Sequence, residues 1–214
     1  VSFSADLTYG SLRRSLGAIE DELGTSWVLT GRGNAVNGAV FPRVSVDAAH
    51  GFLLPWNHSS LWFRASLGAA PAKDRTNPFA NFFFGGFGNN WLDHRAVRQF
   101  RETESFPGIG INQVGGANYG KAQVEWTLPP IRFRQVGIPS VYFQWADLSL
   151  FATSLGTNLD NSTTRQLVNS LGAQLDLRMV TLSHLESTFS IGVAVARGTG
   201  IPTHTAVMAS YKIM

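Results

Sequence analysis

So few of the 214 residues carry charge that the charged ones can be weighed one at a time. Four could act together: Arg98 and Arg101 in the stretch RAVRQFRE, Glu125 in QVEWTLPP, and Asp147 in YFQWADLSL. Glu125 is opposite in phase to Val124 and Trp126, so on a strand its carboxylate leaves from the face they do not use. Asp147 falls on the next strand along the chain. A guanidinium offered to both carboxylates would make charge-assisted, bidentate pairs. The alternative is four ordinary solvated charges. Either role is structural, so no catalytic residue is expected among them.

The strongest case for catalysis is NHSSLW, where His58 and Ser60 lie two apart and share a face if the segment is extended. That spacing is similar to the His-x-Ser arrangement of outer-membrane phospholipases, a base beside a nucleophile. Nothing else of that pattern follows, and His58 beside Trp56 at a strand entrance reads more simply as an interfacial residue. An enzyme is therefore not expected. His50, His94, His184 and His204 are scattered away from metal-ligand spacing. Without cysteine there is neither a thiolate site nor a disulfide. The string GGFGNN lacks a following helix or lysine, so it is not a phosphate cradle. Neither metal nor cofactor is expected, and no basic cluster suggests nucleic acid.

The elements that must position these residues show a period of two. Phe3, Ala5, Leu7 and Tyr9 alternate with Ser2, Ser4, Asp6 and Thr8. The same alternation returns around Trp27 and Leu29, around Val44 and Val46, and over Leu61 to Leu67. It resumes with Ala122, Val124, Trp126 and Leu128 against Lys121, Gln123, Glu125 and Thr127. In PSVYFQWADLSLFATSL the apolar phase slips near Ala146 and Asp147, which predicts a bulge. Leu171 to Met179, Phe189 to Val195 and Val207 to Ile213 complete nine clear strands, with a tenth in reach. Between them, residues 71–118 are rich in Gly, Asn, Phe and Arg and have no steady period. Phe82, Phe83, Phe84 and Phe87 there are expected to pack this stretch against a wall, with Gly85 and Gly86 allowing close backbone approach. No linker divides the chain, so residues 1–214 read as one all-β antiparallel domain.

Composition then asks which side of each strand meets solvent. Hydrophobic residues are 44% and charged residues 14%, against about 25% charged in soluble domains. No apolar run is long enough for a transmembrane helix. The face opposite the apolar one is often small or neutral, as at Ser190, Gly192 and Ala194, where a soluble exterior would carry Lys and Glu. Trp27, Trp56, Trp126 and Tyr211 fall near strand ends, as interfacial girdles require. These features predict a transmembrane β-barrel in a bacterial outer membrane, with membrane lipids or lipopolysaccharide as its surroundings. A soluble sandwich or lipocalin-like barrel is the alternative. In hydrocarbon every backbone donor must be paired, so the strands must close, alone or within a larger ring. Because it opens at Val1, the chain reads either as mature or as a piece of something longer.

The order NFFFGGFGNNW, RAVRQFRE, NQVGGANYG, QVEWTLPP and YFQWADLSL, followed by three more strands, resembles the C-terminal barrel of the bacterial surface antigen superfamily. That group holds the outer-membrane assembly factors (BamA-like) and the two-partner secretion transporters. The resemblance covers Phe79 to Met214 and implies a larger barrel of about sixteen strands, with residues 71–118 folded into the lumen. It implies that Arg98 or Arg101 pairs there with Glu125 and Asp147. It also implies polypeptide substrates and an upstream periplasmic domain. The chain is similar, too, to barrels attached to TolB-like propellers, which implies instead a membrane anchor or scaffold for a soluble domain or partner. Departures from the pattern are Arg98-Gln99-Phe100 where the loop tip carries Arg-Gly-aromatic, Asp147-Leu148-Ser149 where Gly closes the triplet, and a terminal Met214.

Overall fold

The computed structural model of the protein describes every residue except 37, 72–76, 89–96, 183 and 214, and of Gln135 the backbone alone. Four strands come first: β1 (Ser2–Arg13), β2 (Leu23–Val36), β3 (Ala39–Leu53) and β4 (Ser60–Ala69). Two three-residue strands, β5 (Phe82–Phe84) and β6 (Val114–Gly116), pair within the stretch without period. Then follow β7 (Asn118–Thr127), β8 (Ile131–Ile138), β9 (Val141–Thr157), β10 (Gln166–Thr181), β11 (Leu185–Gly198) and β12 (Ile201–Ile213). The nine segments read from alternation are β1 to β4, β7 and β9 to β12. The main sheet has ten strands in the order β1-β2-β3-β4-β7-β9-β10-β11-β12, all antiparallel, with β8 paired to β9 beside that path.

Register explains the faces. Directly opposed residues share a side of a sheet, and Leu7, Leu29, Val46 and Leu67 oppose one another across β1 to β4. Leu175 opposes Ile191, and Ala173 opposes Val193, across β10 and β11. These rows face outward, with Leu7 59%, Leu67 57%, Ile191 44% and Val193 45% exposed. The alternate rows of β7 and β9 to β11 are buried and rich in polar residues: Gln123, Glu125, Ser149, Thr153, Gln174, Asp176 and Ser190 are all nearly inaccessible, alongside Phe151, Leu155 and Val168. This inverts the ordinary soluble pattern, in which exposed carboxylates and buried aliphatics would be the rule.

The polar side is buried because the aperiodic stretch lies on it. Its described parts touch β3 through Thr103, β10 through Pro107 and β12 through Gly108, so the sheet curls around it. Two aromatic clusters fill the space between. One joins Phe82, Phe84, Phe106 and Ile109 to Tyr119, Leu155 and Val168; the other joins Phe87 and Phe100 to Phe151 and Met208.

Two features depart from the strand-by-strand expectation. β1 and β12 are the ends of the row, with no pairing between them among the described residues, so the sheet is open within this chain. β1 is exposed along its whole length, on both faces. β9 is shared: Ser149–Thr157 pair with β7, while Val141–Ala146 pair with β8. The change of partner follows Pro129 and Pro130, which have no N–H to continue the β7 ladder. The bulge sits at Gln144, between Trp145 opposite Arg178 and Phe143 opposite Met179, two residues before the phase slip that signals it.

Candidate functional site

β7 turns Lys121, Gln123, Glu125 and Thr127 inward, because they occupy the alternate positions to Ala122, Val124 and Trp126. β9 and β10 turn Asp147 and Asp176 inward, directly opposite each other. Two like charges facing across a ladder repel, and both are almost fully buried. Arg98, itself 2% exposed, lies between them. Its Nε donates to Asp176 at 3.2 Å, its Nη2 to Asp147, and its Nη1 to Glu125 and Thr127 at 3.2 Å each. Arg101 donates to Glu125 at 2.6 Å through Nη2 and at 3.0 and 3.1 Å through Nε. Arg64 reaches the same carboxylate at 3.3 Å. From the β1–β2 turn, Glu20 comes within 3.1 Å of Arg98 and 2.9 Å of Arg101.

The structure thus brings together all four charged residues singled out above, and adds Glu20, Arg64 and Asp176. Burying so many charges costs desolvation that their attraction only roughly offsets. What such a network defines is position: it ties the 97–101 segment to β7, β9, β10 and the β1–β2 turn at once. Burial pushes the Glu20 carboxyl upward, but Arg101 and Arg98 outweigh it and hold the group below its usual range.

A second fastening uses the loop backbone. Lys121 Nζ donates to the carbonyls of Glu102 at 2.7 Å, Thr103 at 3.0 Å and Ser105 at 2.6 Å. Thr103 Oγ1 donates to Asp47 at 2.7 Å, and Ser170 Oγ to the Pro107 carbonyl at 2.5 Å. Rings complete the contact. Phe100 stacks on Phe151 with centroids 4.3 Å apart, and Phe82 and Phe84 meet Tyr119 edge-on at 4.8 and 4.7 Å. Phe87 approaches Phe151 at 6.3 Å. Phe83 differs from its three neighbours: it is 36% exposed and turned away. Gly85 and Gly86 both have positive φ, and a Cβ on Gly85 would sit 1.9 Å from the Gly110 carbonyl oxygen. That close approach is the reason glycine stands there.

His58 and Ser60 do not form a couple among the described residues. Ser60 Oγ accepts from Trp62 Nε1 at 3.2 Å, while His58 Nδ1 lies 2.9 Å from Glu22. Glu22 also accepts from Ser15 through its hydroxyl and its backbone N–H. His94 lies outside the described residues, as do the last three residues of NFFFGGFGNNW and the first two of RAVRQFRE. Among the described residues no group of acidic and histidine side chains could hold a metal ion. Comparison with protein-family models, with curated proteins and with solved structures finds no match to this chain.

Asp176 and Lys121 were legible as partners, since both fall on the polar phase of their strands and Asp176 faces Asp147 in the adjoining one. Glu20 carried no such signal, because it sits in a turn where no period assigns a direction.

Proposed function

We propose that this chain forms wall strands of a bacterial outer-membrane β-barrel whose lumen is filled by its own loop. Within that reading it belongs with the barrels that pass or assemble polypeptide. The carrying observation is the inverted burial: an outward aliphatic face over a polar inner face that is packed with loop. Lipid is the solvent in which an exterior of Leu7, Leu67, Ile191, Val193 and Val207 carries no cost. Aromatic residues gather toward the end of the sheet where β1 meets β2. Tyr9 stacks on Trp27 at 5.9 Å, Trp56 lies 6.1 Å from Trp126, and Tyr211 opposes Phe189. That is where an interfacial girdle would sit. The open edges at β1 and β12 must find partners in hydrocarbon, which supports completion of the ring by strands outside this chain.

The density of the fastening favours a second reading, a membrane anchor or scaffold whose interior never clears. Reconstitution separates the possibilities. Variants retaining a single tryptophan are placed in vesicles containing brominated lipids. Trp126 and Trp27 are expected to be quenched, and Trp62, which is 4% exposed on the inner face, is expected to be spared. Equal quenching of Trp62, or of none, would remove the membrane reading. Conductance that rises when Arg98 and Arg101 are both replaced by Ala supports transport, and a flat trace for both proteins supports the anchor.

A further inference from the structure

We infer that the end of the interior nearest the β1–β2 turn is a binding site for an organic phosphate. A cavity of about 840 Å³ lies there, against that turn and the inner sides of β8, β9 and β10. The ladder builds its cationic wall. Arg132 opposes Trp145, and Trp145 opposes Arg178, so register places two arginines on either side of one tryptophan on a single face. Arg134 lines the same space.

The charge there is unbalanced. The carboxylates that line the cavity, Glu20 and Asp176, are both engaged by Arg98, at 3.1 and 3.2 Å. Arg178 is already engaged, by Glu186 and by the Thr188 hydroxyl at 3.2 Å, so the surplus charge is that of Arg132 and Arg134. No described carboxylate lies within ion-pair distance of Arg132 or Arg134. Planar guanidinium forks suit the oxygens of a phosphate, and several converging on one space suit a group with three free oxygens better than a carboxylate with two. Trp145 and Phe133 supply an apolar wall for the rest of the molecule. The volume falls in the usual range for small-molecule sites, roughly 300–1,000 Å³, and leaves room beyond a bare phosphate. A phosphomonoester on a short carbon chain fits this chemistry, either as a soluble metabolite or as the headgroup of a lipid at the rim.

The soluble-ligand arm does not depend on the wall-and-plug reading, since it is tested on folded protein in detergent, whereas the headgroup arm rests on it. Binding of glycerol 3-phosphate is measured by calorimetry at fixed ionic strength, in parallel with nanodiscs carrying phosphatidic acid or phosphatidylcholine. Saturable binding of glycerol 3-phosphate identifies a soluble ligand. Binding confined to phosphatidic acid identifies a headgroup. Either should weaken at least about ten-fold in Arg132→Gln and again in Arg132→Gln/Arg134→Gln, because each removes charge-assisted hydrogen bonds. Arg132→Lys keeps the charge without the fork and is expected to fall between. Arg132 and Arg134 are exposed, so near-ultraviolet circular dichroism should match wild type. No saturable binding of either probe, or double-variant binding equal to wild type, would overturn the inference.

Discussion

Replacing Arg98 by Ala is expected to cost more than any other single change in the charged network. The magnitude follows from who keeps a partner. Glu125 retains Arg101 at 2.6 Å and Arg64 at 3.3 Å. Asp147 and Asp176 lose the guanidinium they share, and they oppose each other across the ladder. Removing one partner of a buried ion pair costs about 3–5 kcal/mol, because the remaining charge stays buried and uncompensated. Arg101→Ala is milder. Arg101 is 24% exposed, and its main acceptor Glu125 keeps two arginines. The lost charged hydrogen bonds amount to about 1.5 kcal/mol, the low end for such bonds. Arg98→Ala should therefore exceed Arg101→Ala by about 2 kcal/mol in urea unfolding, followed by tryptophan fluorescence in detergent micelles. In Arg98→Ala, trypsin should also cleave after Arg101 where wild type resists. Combining Arg98→Ala with Asp147→Asn should cost less than the sum of the two, since the second change removes a charge that the first leaves stranded. Equal costs for Arg98→Ala and Arg101→Ala, or strict additivity with Asp147→Asn, would refute this account of the network.

Lys121→Met removes the donor to three loop carbonyls and should destabilise by about 2–3 kcal/mol, with earlier proteolysis between residues 102 and 105. Gly192→Ala places a Cβ 2.6 Å from the Phe87 ring and should cost about 1–3 kcal/mol, while Gly10→Ala, with nothing within 4 Å, should be near neutral by the same measurement. Burial raises the Glu22 carboxyl, but hydrogen bonds from Ser15 and His58 outweigh it and hold it below its usual range. A depressed carboxyl stabilises the fold fully above that range, and the contribution is lost as pH falls through the folded value. Acid titration of the unfolding midpoint should therefore show a shallower decline in Glu22→Gln than in wild type. Val193→Asp, on the outward face at 45% exposure, should reduce spontaneous insertion into vesicles without reducing solubility in urea.

Much of the sheet is readable in the sequence because the side-chain period of a strand is two and the chain keeps it. The polar phase of β7 and β10 alone places Glu125 and Asp176 on the inner side. The interior loop was readable only as an absence of period. Phe82 and Phe84 pack inward and Phe83 outward because β5 alternates like the longer strands, but three residues are too few to show a period in the sequence, so Phe83 could not be told from its neighbours. β8 escaped because its bulge between Arg132 and Val136 breaks the alternation that would have marked it. Closure is a global property, set by how far ten strands curl, and no local pattern encodes it. Glu20 joined the network from a turn, where only the three-dimensional approach of β1 and β2 to Arg98 and Arg101 makes it a partner.

The pair of prolines after β7 gives the sheet a line of weakness. Leu128 N–H bonds to the Leu148 carbonyl at 3.0 Å, and the two residues after it, Pro129 and Pro130, have nothing to donate. β9 is consequently stitched to one neighbour above and another below, like a zip with two sliders that do not meet. Amide protons bordering that gap should be the earliest in the sheet to trade with deuterium, and strain applied across the strands should part the fabric there first.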